Sequence, residues 1–122
     1  MFQLDLKSGL SICDQIVNGF IRLKAMGVLS SGDQLPSVRS LASKFSVNPN
    51  TIQKAYSILE SKNIIYSVKG KGSFISDDSR SLAAIKEAAM EKFRESVKEA
   101  IDVGISEDEL INSIKKRGEE ND

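Results

Sequence analysis

Residues 32–75 read GDQLPSVRSLASKFSVNPNTIQKAYSILESKNIIYSVKGKGSFI, and this stretch decides the fold. Pro36 holds the residue before it in an extended conformation, and Ser37 then supplies the N-cap of a helix. Asn48 and Pro49 are a second start signal, with asparagine as N-cap and proline in the first helical position. Apolar residues at helical spacing predict the buried faces of these two helices: Val38, Leu41, Ala42 and Phe45, then Ile52, Ala55, Tyr56 and Leu59.

A hairpin is predicted directly after the second of these helices. Asn63 is expected to end that helix, and residues 64–68 and 73–75 are rich in β-branched and aromatic side chains, which favour strands. Between them, Lys69-Gly70-Lys71-Gly72 has the glycines that a tight turn requires. The order is therefore helix, turn, helix and a two-stranded wing.

The flanking segments are also predicted to be mainly helical. Residues 2–6 alternate apolar and polar and are expected to form a short extended arm, and residues 77–81 form a polar linker. Gly27 and Gly104 are expected to end helices, and Ser106 begins a capping box for a short last helix, after which residues 115–122 should be frayed. The first helix has a predicted buried face at Ile12, Ile16, Val17, Phe20, Leu23 and Met26. The fold class is mainly α with a small β wing.

Composition excludes several functional classes. The chain has 122 residues, 40% hydrophobic and 28% charged, which is typical of a globular protein with no membrane-spanning segment. It contains no histidine, so the commonest general base and metal ligand are missing. Cys13, the one cysteine, is interpreted as a small packing residue. We expect no catalytic residue, cofactor or metal, and a cytoplasmic location, since the N-terminus lacks a secretory signal pattern.

The neutral net charge conceals an uneven distribution. Residues 1–78 carry nine basic and six acidic side chains, whereas residues 79–122 carry eight basic and eleven acidic ones. Between residues 34 and 75 Glu60 is the one acidic residue, against six basic ones. Because charges more than about 10 Å away are largely screened at 0.1 M salt, a phosphate near this stretch would experience a positive field.

The basic helix-turn-helix indicates a reader of duplex DNA. The N-terminal residues of the second helix in such a motif reach base edges in the major groove. Here they are Asn50, Thr51 and Gln53, with Lys54 beside them. Asparagine and glutamine can bond adenine bidentately, and threonine can bond a base or a phosphate. Taken singly, Asn50 and Gln53 would most often be solvated surface residues.

The first helix of the motif and the hairpin supply further candidates. Arg39 can bond the DNA backbone or a guanine edge. Lys69 and Lys71, with Gly70 between them, suit a wing that contacts the minor groove or phosphates, although this sequence could also be a simple solvated turn. Ser37 is included as a candidate contact. Asn48 is included as well, although its role as a cap alone is the stronger interpretation.

Several of these motifs together resemble the winged-helix domain of GntR-family bacterial transcription regulators. The resemblance covers residues 10–76 and rests on GDQLPSVRSLA at 32–42, VNPNTI at 47–52 and GKGSFI at 70–75, with Ala55-Tyr56 and Leu59-Glu60 between them. It implies DNA contacts at Arg39, at the start of the third helix (Asn48, Asn50, Thr51 and Gln53) and at the wing (Lys69, Gly70 and Lys71). The chain departs from the family pattern at Asn63, where glycine is usual, and at Lys69, where arginine is common.

The C-terminal segment is predicted to join two copies of the chain. It resembles the tail of the short YtrA-like subgroup of that family, whose helices pair two subunits. An apolar stripe follows one side of the long helix: Leu82, Ile85, Ala89, Phe93, Val97 and Ile101. A partner helix is the simplest cover for a stripe of this length. Glu87, Glu91, Glu95 and Glu99 occupy another face, interpreted as solvated, with a metal site as the weaker alternative.

The sequence therefore predicts a winged helix-turn-helix domain at residues 1–76 and a helical dimerisation segment at residues 77–122. The predicted protein is a homodimeric, non-enzymatic repressor of an inverted-repeat operator, with double-stranded DNA as its partner and no membrane association. Resemblance to the subgroup suggests transporter genes among its targets and leaves any effector unknown. The rivals are an RNA-binding or DNA-packing winged helix, a winged helix that binds only protein and, most remotely, a hydrolase or transferase.

Overall fold

The computed structural model describes residues 1–121, and these residues are mainly α-helical with a small β wing, as predicted. The elements in chain order are α1 (Ile12–Ala25), α2 (Val38–Phe45), α3 (Pro49–Ser61), β1 (Ile65–Val68), β2 (Gly72–Ile75), α4 (Ser79–Asp102) and α5 (Glu107–Asn121). The chain divides into two compact units: the first is Met1–Ala83, and the second begins at Ala84. No helix among the described residues is both long and apolar enough to cross a membrane.

The predicted helix caps are present. The Ser37 hydroxyl accepts a hydrogen bond from the backbone N–H of Ser40 at 3.0 Å, and α2 begins at the next residue. The Asn48 side-chain oxygen accepts from the N–H of Asn50 at 2.8 Å, with Pro49 in the first position of α3. Each side chain satisfies an N–H that the first turn of a helix leaves unpaired. The start of α3 is therefore fixed by its own sequence.

Helices α1, α2 and α3 enclose the core of the first unit. Its largest fully buried side chains come from all three helices and from the residues that flank or end the strands: Phe20, Ile16, Leu41, Ile52, Leu59, Ile64 and Ile75. The whole predicted face of α3 is buried, and Leu41 and Ala42 of α2 are buried while Val38 and Phe45 are half-buried. This core supports α3 from behind and leaves its opposite side in solvent.

The wing is an antiparallel hairpin in which Ile65 pairs with Ile75 and Val68 with Gly72. Gly72 therefore belongs to β2, and the turn is the three residues 69–71, closed by a hydrogen bond of 2.9 Å from the Lys71 N–H to the Val68 carbonyl. Gly70 at the tip has φ +78°, a value that glycine adopts without strain.

Residues 32–35 also pair with β2, and the sequence interpretation had not predicted this pairing. The N–H of Gly32 donates to the Ile75 carbonyl at 2.8 Å, and the N–H of Ile75 donates to the Asp33 carbonyl at 2.8 Å. The N–H of Leu35 donates to the Ser73 carbonyl at 2.9 Å. The chain that leads into α2 is thus hydrogen-bonded to the wing.

The N-terminal arm packs on the domain: the Phe2 ring lies 5.3 Å from that of Phe20 and 5.6 Å from that of Phe45. Three other expectations differ from the structure. Met26 is 64% exposed, since α1 ends at Ala25 and Met26 no longer follows the buried face. The linker predicted at residues 77–81 is shorter, because α4 begins at Ser79.

The third concerns the C-terminus, which was expected to be frayed over residues 115–122. It is helical through Asn121, and the last residue lies outside the described part. Gly104, with φ +95°, lies between α4 and α5, as predicted. The Ser106 hydroxyl accepts from the N–H of Glu109 at 3.2 Å, which is half of the predicted capping box. Arg94 pairs with Glu87 and Glu91, both at 3.1 Å, so the acidic face of α4 is partly neutralised within its own helix.

Candidate nucleic-acid interface

The first turns of α3 present their polar side chains to solvent. Asn50, Gln53 and Lys54 are exposed, and Thr51 is half-buried. The opposite face of the helix is anchored by Ile52, which is 0% exposed. Asn50 and Gln53 therefore project from a rigid helix with their amide groups available to a ligand. Asn48 is also exposed, but its side-chain oxygen already accepts the capping hydrogen bond, whereas its NH₂ group has no partner among the described residues.

The start of α2 is held against α3 by a partly buried hydrogen bond. The Tyr56 hydroxyl donates to the Pro36 carbonyl at 2.6 Å, and Tyr56 is 4% exposed. Burial raises the pKa of the Tyr56 phenol well above its ordinary value, so the donor stays protonated. Pro36 is followed by Ser37 and then by Arg39, whose side chain is exposed in the first turn of α2. This bond fixes the position of Arg39 relative to α3.

The tip of the wing carries Lys69, Gly70 and Lys71, all exposed. The hairpin is short and is held at its base by Ile65 and Ile75, which are 2% and 0% exposed. The segment 32–35 connects the wing to α2, so the hairpin, α2 and α3 belong to one hydrogen-bonded framework. All ten predicted contact residues lie in this first compact unit.

The basic side chains of the stretch 32–75 form no ion pair with any described residue and are available to an anion. Every ion pair among the described side chains involves Arg80 or Arg94, and neither lies in the stretch 32–75. Arg39, Lys54, Lys69 and Lys71 therefore do not have to break an internal ion pair to contact a phosphate. Lys62 follows the C-terminal end of α3, about 20 Å from its start, because a helix rises about 1.5 Å per residue. It is not a candidate contact.

Sequence reasoning missed two features of this surface. Tyr56 was interpreted only as part of a buried face, since nothing in its spacing shows where its hydroxyl points. The second is the pairing of residues 32–35 with β2: residues 30–33 were expected to form a turn, which the structure contains, and residues 34–36 to be extended, but no partner strand was predicted. Four residues are too few for strand alternation to be visible, and the partner strand lies far away in the sequence.

The arrangement of three packed helices, with an exposed polar helix start beside a basic hairpin, defines a winged helix-turn-helix protein of the DNA-binding class. The family model described as "Bacterial regulatory proteins, gntR family" matches residues 22–75. The chain is 38% identical over 101 residues to the HTH-type transcriptional repressor YtrA of Bacillus subtilis, an alignment that covers 83% of this chain and 76% of YtrA. The protein belongs to the GntR family of bacterial transcriptional regulators.

Solved structures agree with this assignment. A GntR family transcriptional regulator from Listeria monocytogenes superposes with a TM-score of 0.75 at 35% identity, covering 93% of this chain and 98% of that one. The DNA-binding domain of AraR, in complex with operator ORE1, superposes with a TM-score of 0.54 at 29% identity, covering 62% of this chain and 95% of that one. GntR-type regulators bind DNA, and the matched part of this chain contains the helix-turn-helix and the wing.

Proposed function

We propose that the protein is a homodimeric repressor that reads an inverted-repeat operator through Arg39 and the start of α3, and contacts the phosphate backbone through its wing. The observation that carries this proposal is the exposed, capped start of α3, where Asn50 and Gln53 stand clear of a fully packed opposite face. An α-helix fits the major groove, and a fixed helix start can present its amides to base edges without further ordering. Ser37, Thr51 and Lys54 border this point and suit backbone contacts.

Homodimerisation is proposed from the second unit. Phe93 and Ile101 on the apolar stripe of α4 are 44% and 45% exposed, and α4 has no buried residue in the isolated chain. With about 100° of rotation per residue, Glu87, Glu91, Glu95 and Glu99 lie on the other side of the helix. An apolar side opposed to a charged side is the pattern of a helix that packs on a partner.

The same unit contains an apolar groove between α4 and α5. It has a volume of about 280 Å³ and is lined mainly by Phe93, Val97, Ile101, Leu110, Ile111 and Ile114. We propose that a second copy covers this groove and the stripe, which runs from Leu82 through Ile85 and Ala89. A two-fold dimer of this kind would place two α3 helices on successive half-sites, and the operator would then be an inverted repeat.

We propose repression of transcription, rather than activation, from the similarity to YtrA. YtrA is named as a repressor, and a dimer bound across a promoter would block access to it. Resemblance to the YtrA-like subgroup extends the proposal to transporter genes as targets. A regulator of this kind acts on the chromosome, which places it in the bacterial cytoplasm. We propose no enzymatic activity.

Selection from a pool of random DNA duplexes tests the proposal. The wild-type protein should enrich a two-fold symmetric consensus, and a double-stranded RNA of the same sequence should not compete for binding. Arg39→Ala should weaken binding to that consensus by about 1–3 kcal/mol, the value of a good base contact. Arg22→Ala is the matched control, because it removes the same charge from an exposed position of α1.

Three outcomes of these binding experiments would contradict the proposal. Equal binding of the consensus by Arg39→Ala and by Arg22→Ala would refute the assignment of Arg39. Enrichment of no consensus, or of one without two-fold symmetry, would refute the proposed operator. Efficient competition by the RNA duplex would favour the RNA-binding alternative instead.

A further inference from the structure

Gln34 lies where the segment 32–35 passes the wing. Its backbone is opposite Phe74 in an antiparallel bridge with β2. Its side chain extends to the turn, where the Nε2 group donates a hydrogen bond of 2.8 Å to the backbone carbonyl of Lys71. A carbonyl can only accept, so the amide must present its NH₂ group to it. Gln34 is the one side chain outside the hairpin that bonds the turn among the described residues.

Gly72 makes room for this contact. A Cβ atom built on Gly72 would lie 2.9 Å from Nε2 of Gln34, and Gly72 has φ +115°, which side chains rarely tolerate. A side chain at this position would be strained by the positive φ and would crowd the Nε2 group of Gln34 where it bonds the turn, so glycine suits both the backbone and the contact. The glycine that ends the Lys-Gly-Lys-Gly motif thus serves a contact from another segment.

The bond fixes the backbone of Lys71 on both sides. Its N–H donates to the Val68 carbonyl at 2.9 Å within the hairpin, and its carbonyl accepts from Gln34. Two residues after Gln34, the Pro36 carbonyl is held by Tyr56 of α3. One short segment therefore connects the backbone of a wing lysine to the helix that is proposed to read bases.

We propose that Gln34 is a positioning residue for the wing, which holds Lys71 in register with the helix-turn-helix so that both reach the same duplex. Gln34 carries no charge and need not contact DNA itself; it acts by holding the backbone of Lys71 in place. The inference rests on the proposed role of the wing in gripping phosphates. Without Gln34 the turn would have to be ordered by the DNA at each binding event, and the wing contact would weaken.

The test is the salt dependence of DNA binding by the full-length Gln34→Met variant. Methionine matches glutamine in length but has no hydrogen-bond donor, and the net charge is unchanged. Each lysine–phosphate contact contributes about 0.9 to the slope of log affinity against log salt. We expect the Gln34→Met slope to be shallower by up to about 0.9 for each bound protomer, with about two- to tenfold weaker binding at low salt. The probe is the duplex consensus selected by the wild-type protein.

Two companion variants separate the possible outcomes. Gln3→Met makes the same substitution at an exposed residue whose side chain bonds no described residue, and it should leave slope and affinity unchanged. The double variant Lys69→Ala/Lys71→Ala should flatten the slope, and adding Gln34→Met to it should change affinity less than about twofold, because the contact that Gln34 orients is then gone. A glutamine that only stabilised the fold would lower affinity by the same factor in both backgrounds.

Each result decides a different point. If the lysine double variant flattens the slope and Gln34→Met does not, the positioning role is refuted while the wing proposal stands. If the lysine double variant keeps the wild-type slope, the wing proposal fails, and the role of Gln34 fails with it. Thermal unfolding confirms that each variant is folded at the assay temperature, and Gln34→Ala replaces Gln34→Met if the methionine variant is not.

Discussion

Replacing Tyr56 with phenylalanine tests how the helix-turn-helix is held together. The substitution removes one hydroxyl, which donates to the Pro36 carbonyl at 2.6 Å. It keeps the aromatic ring, whose centroid lies 5.8 Å from that of Phe20 in an edge-to-face contact. The packing of the core is thus conserved, and the change isolates a single, partly buried hydrogen bond.

The expected loss of stability follows from the partial burial of this bond. A hydrogen bond contributes about 0.5–1.5 kcal/mol net, and a buried acceptor left unpaired costs about 1–3 kcal/mol. Pro36 is half-buried, so water can partly replace the phenol. We therefore expect the free energy of unfolding to fall by about 1–2 kcal/mol, and the melting temperature by roughly 5–10 °C for a unit of this size.

The assay is urea unfolding followed by far-ultraviolet circular dichroism, at one protein concentration for all variants, because association contributes to apparent stability. The midpoint should fall without a change in the denaturant slope. Tyr66→Phe is the matched control, since Tyr66 is 43% exposed and its hydroxyl bonds no described residue. It should be within about 0.5 kcal/mol of wild type. Equal midpoints for Tyr56→Phe and Tyr66→Phe would refute the reasoning.

Three further predictions concern pH, the N-terminal segment and the dimer. Because burial raises the pKa of Tyr56, the unfolded chain loses the phenol proton above about pH 10 while the folded chain keeps it. The stability advantage of wild type over Tyr56→Phe should therefore shrink as the pH rises above about 10, and a constant advantage up to pH 11 would contradict this prediction. A Cβ on Gly19 would lie 2.5 Å from the Phe2 ring, so Gly19→Ala should lower the free energy of unfolding by about 1–3 kcal/mol in urea, and in a Phe2→Ala background the same substitution should cost much less. Gly118→Ala, at an open helical position, is the control and should be neutral or stabilising. In sedimentation velocity at micromolar concentration, wild type should be a dimer and Phe93→Glu, which puts a charge on the apolar stripe of α4, a monomer. Ala84→Glu puts the same charge on the side of α4 opposite the stripe and should remain a dimer; a monomeric wild type would refute the proposed dimer.

The sequence predicted those elements whose signals are local. Ser37 and the Asn48-Pro49 pair predicted the starts of α2 and α3 to the residue, because a cap acts on backbone groups two or three positions away. The buried face of α3 followed from helical spacing, and Asn63 adopts φ +59° at the end of that helix, as an asparagine can. Exposure of the candidate contact residues could be predicted for the same reason, except at Thr51, which is half-buried.

Features that depend on distant partners could not be predicted. The pairing of residues 32–35 with β2 and the Tyr56–Pro36 bond join segments that no periodicity relates. Polar residues after Asp77 suggested a linker, but a solvated helix start has the same composition, and α4 begins at Ser79. Which bases Arg39, Asn50 and Gln53 contact depends on a duplex as much as on the chain, so these assignments stay predictions.

The pairing of residues 32–35 with the wing has a consequence for the order of folding. Gln34 and Lys71 are 37 positions apart, and α2 and α3 lie within the loop that their contact closes. Closing a loop of that length costs about 3 kcal/mol of chain entropy, whereas helices α2 and α3 can pair across a short turn. We therefore expect α2 and α3 to dock before the extended segment joins β2, so that the wing acquires its final position late and is among the first parts to detach when the domain begins to unfold.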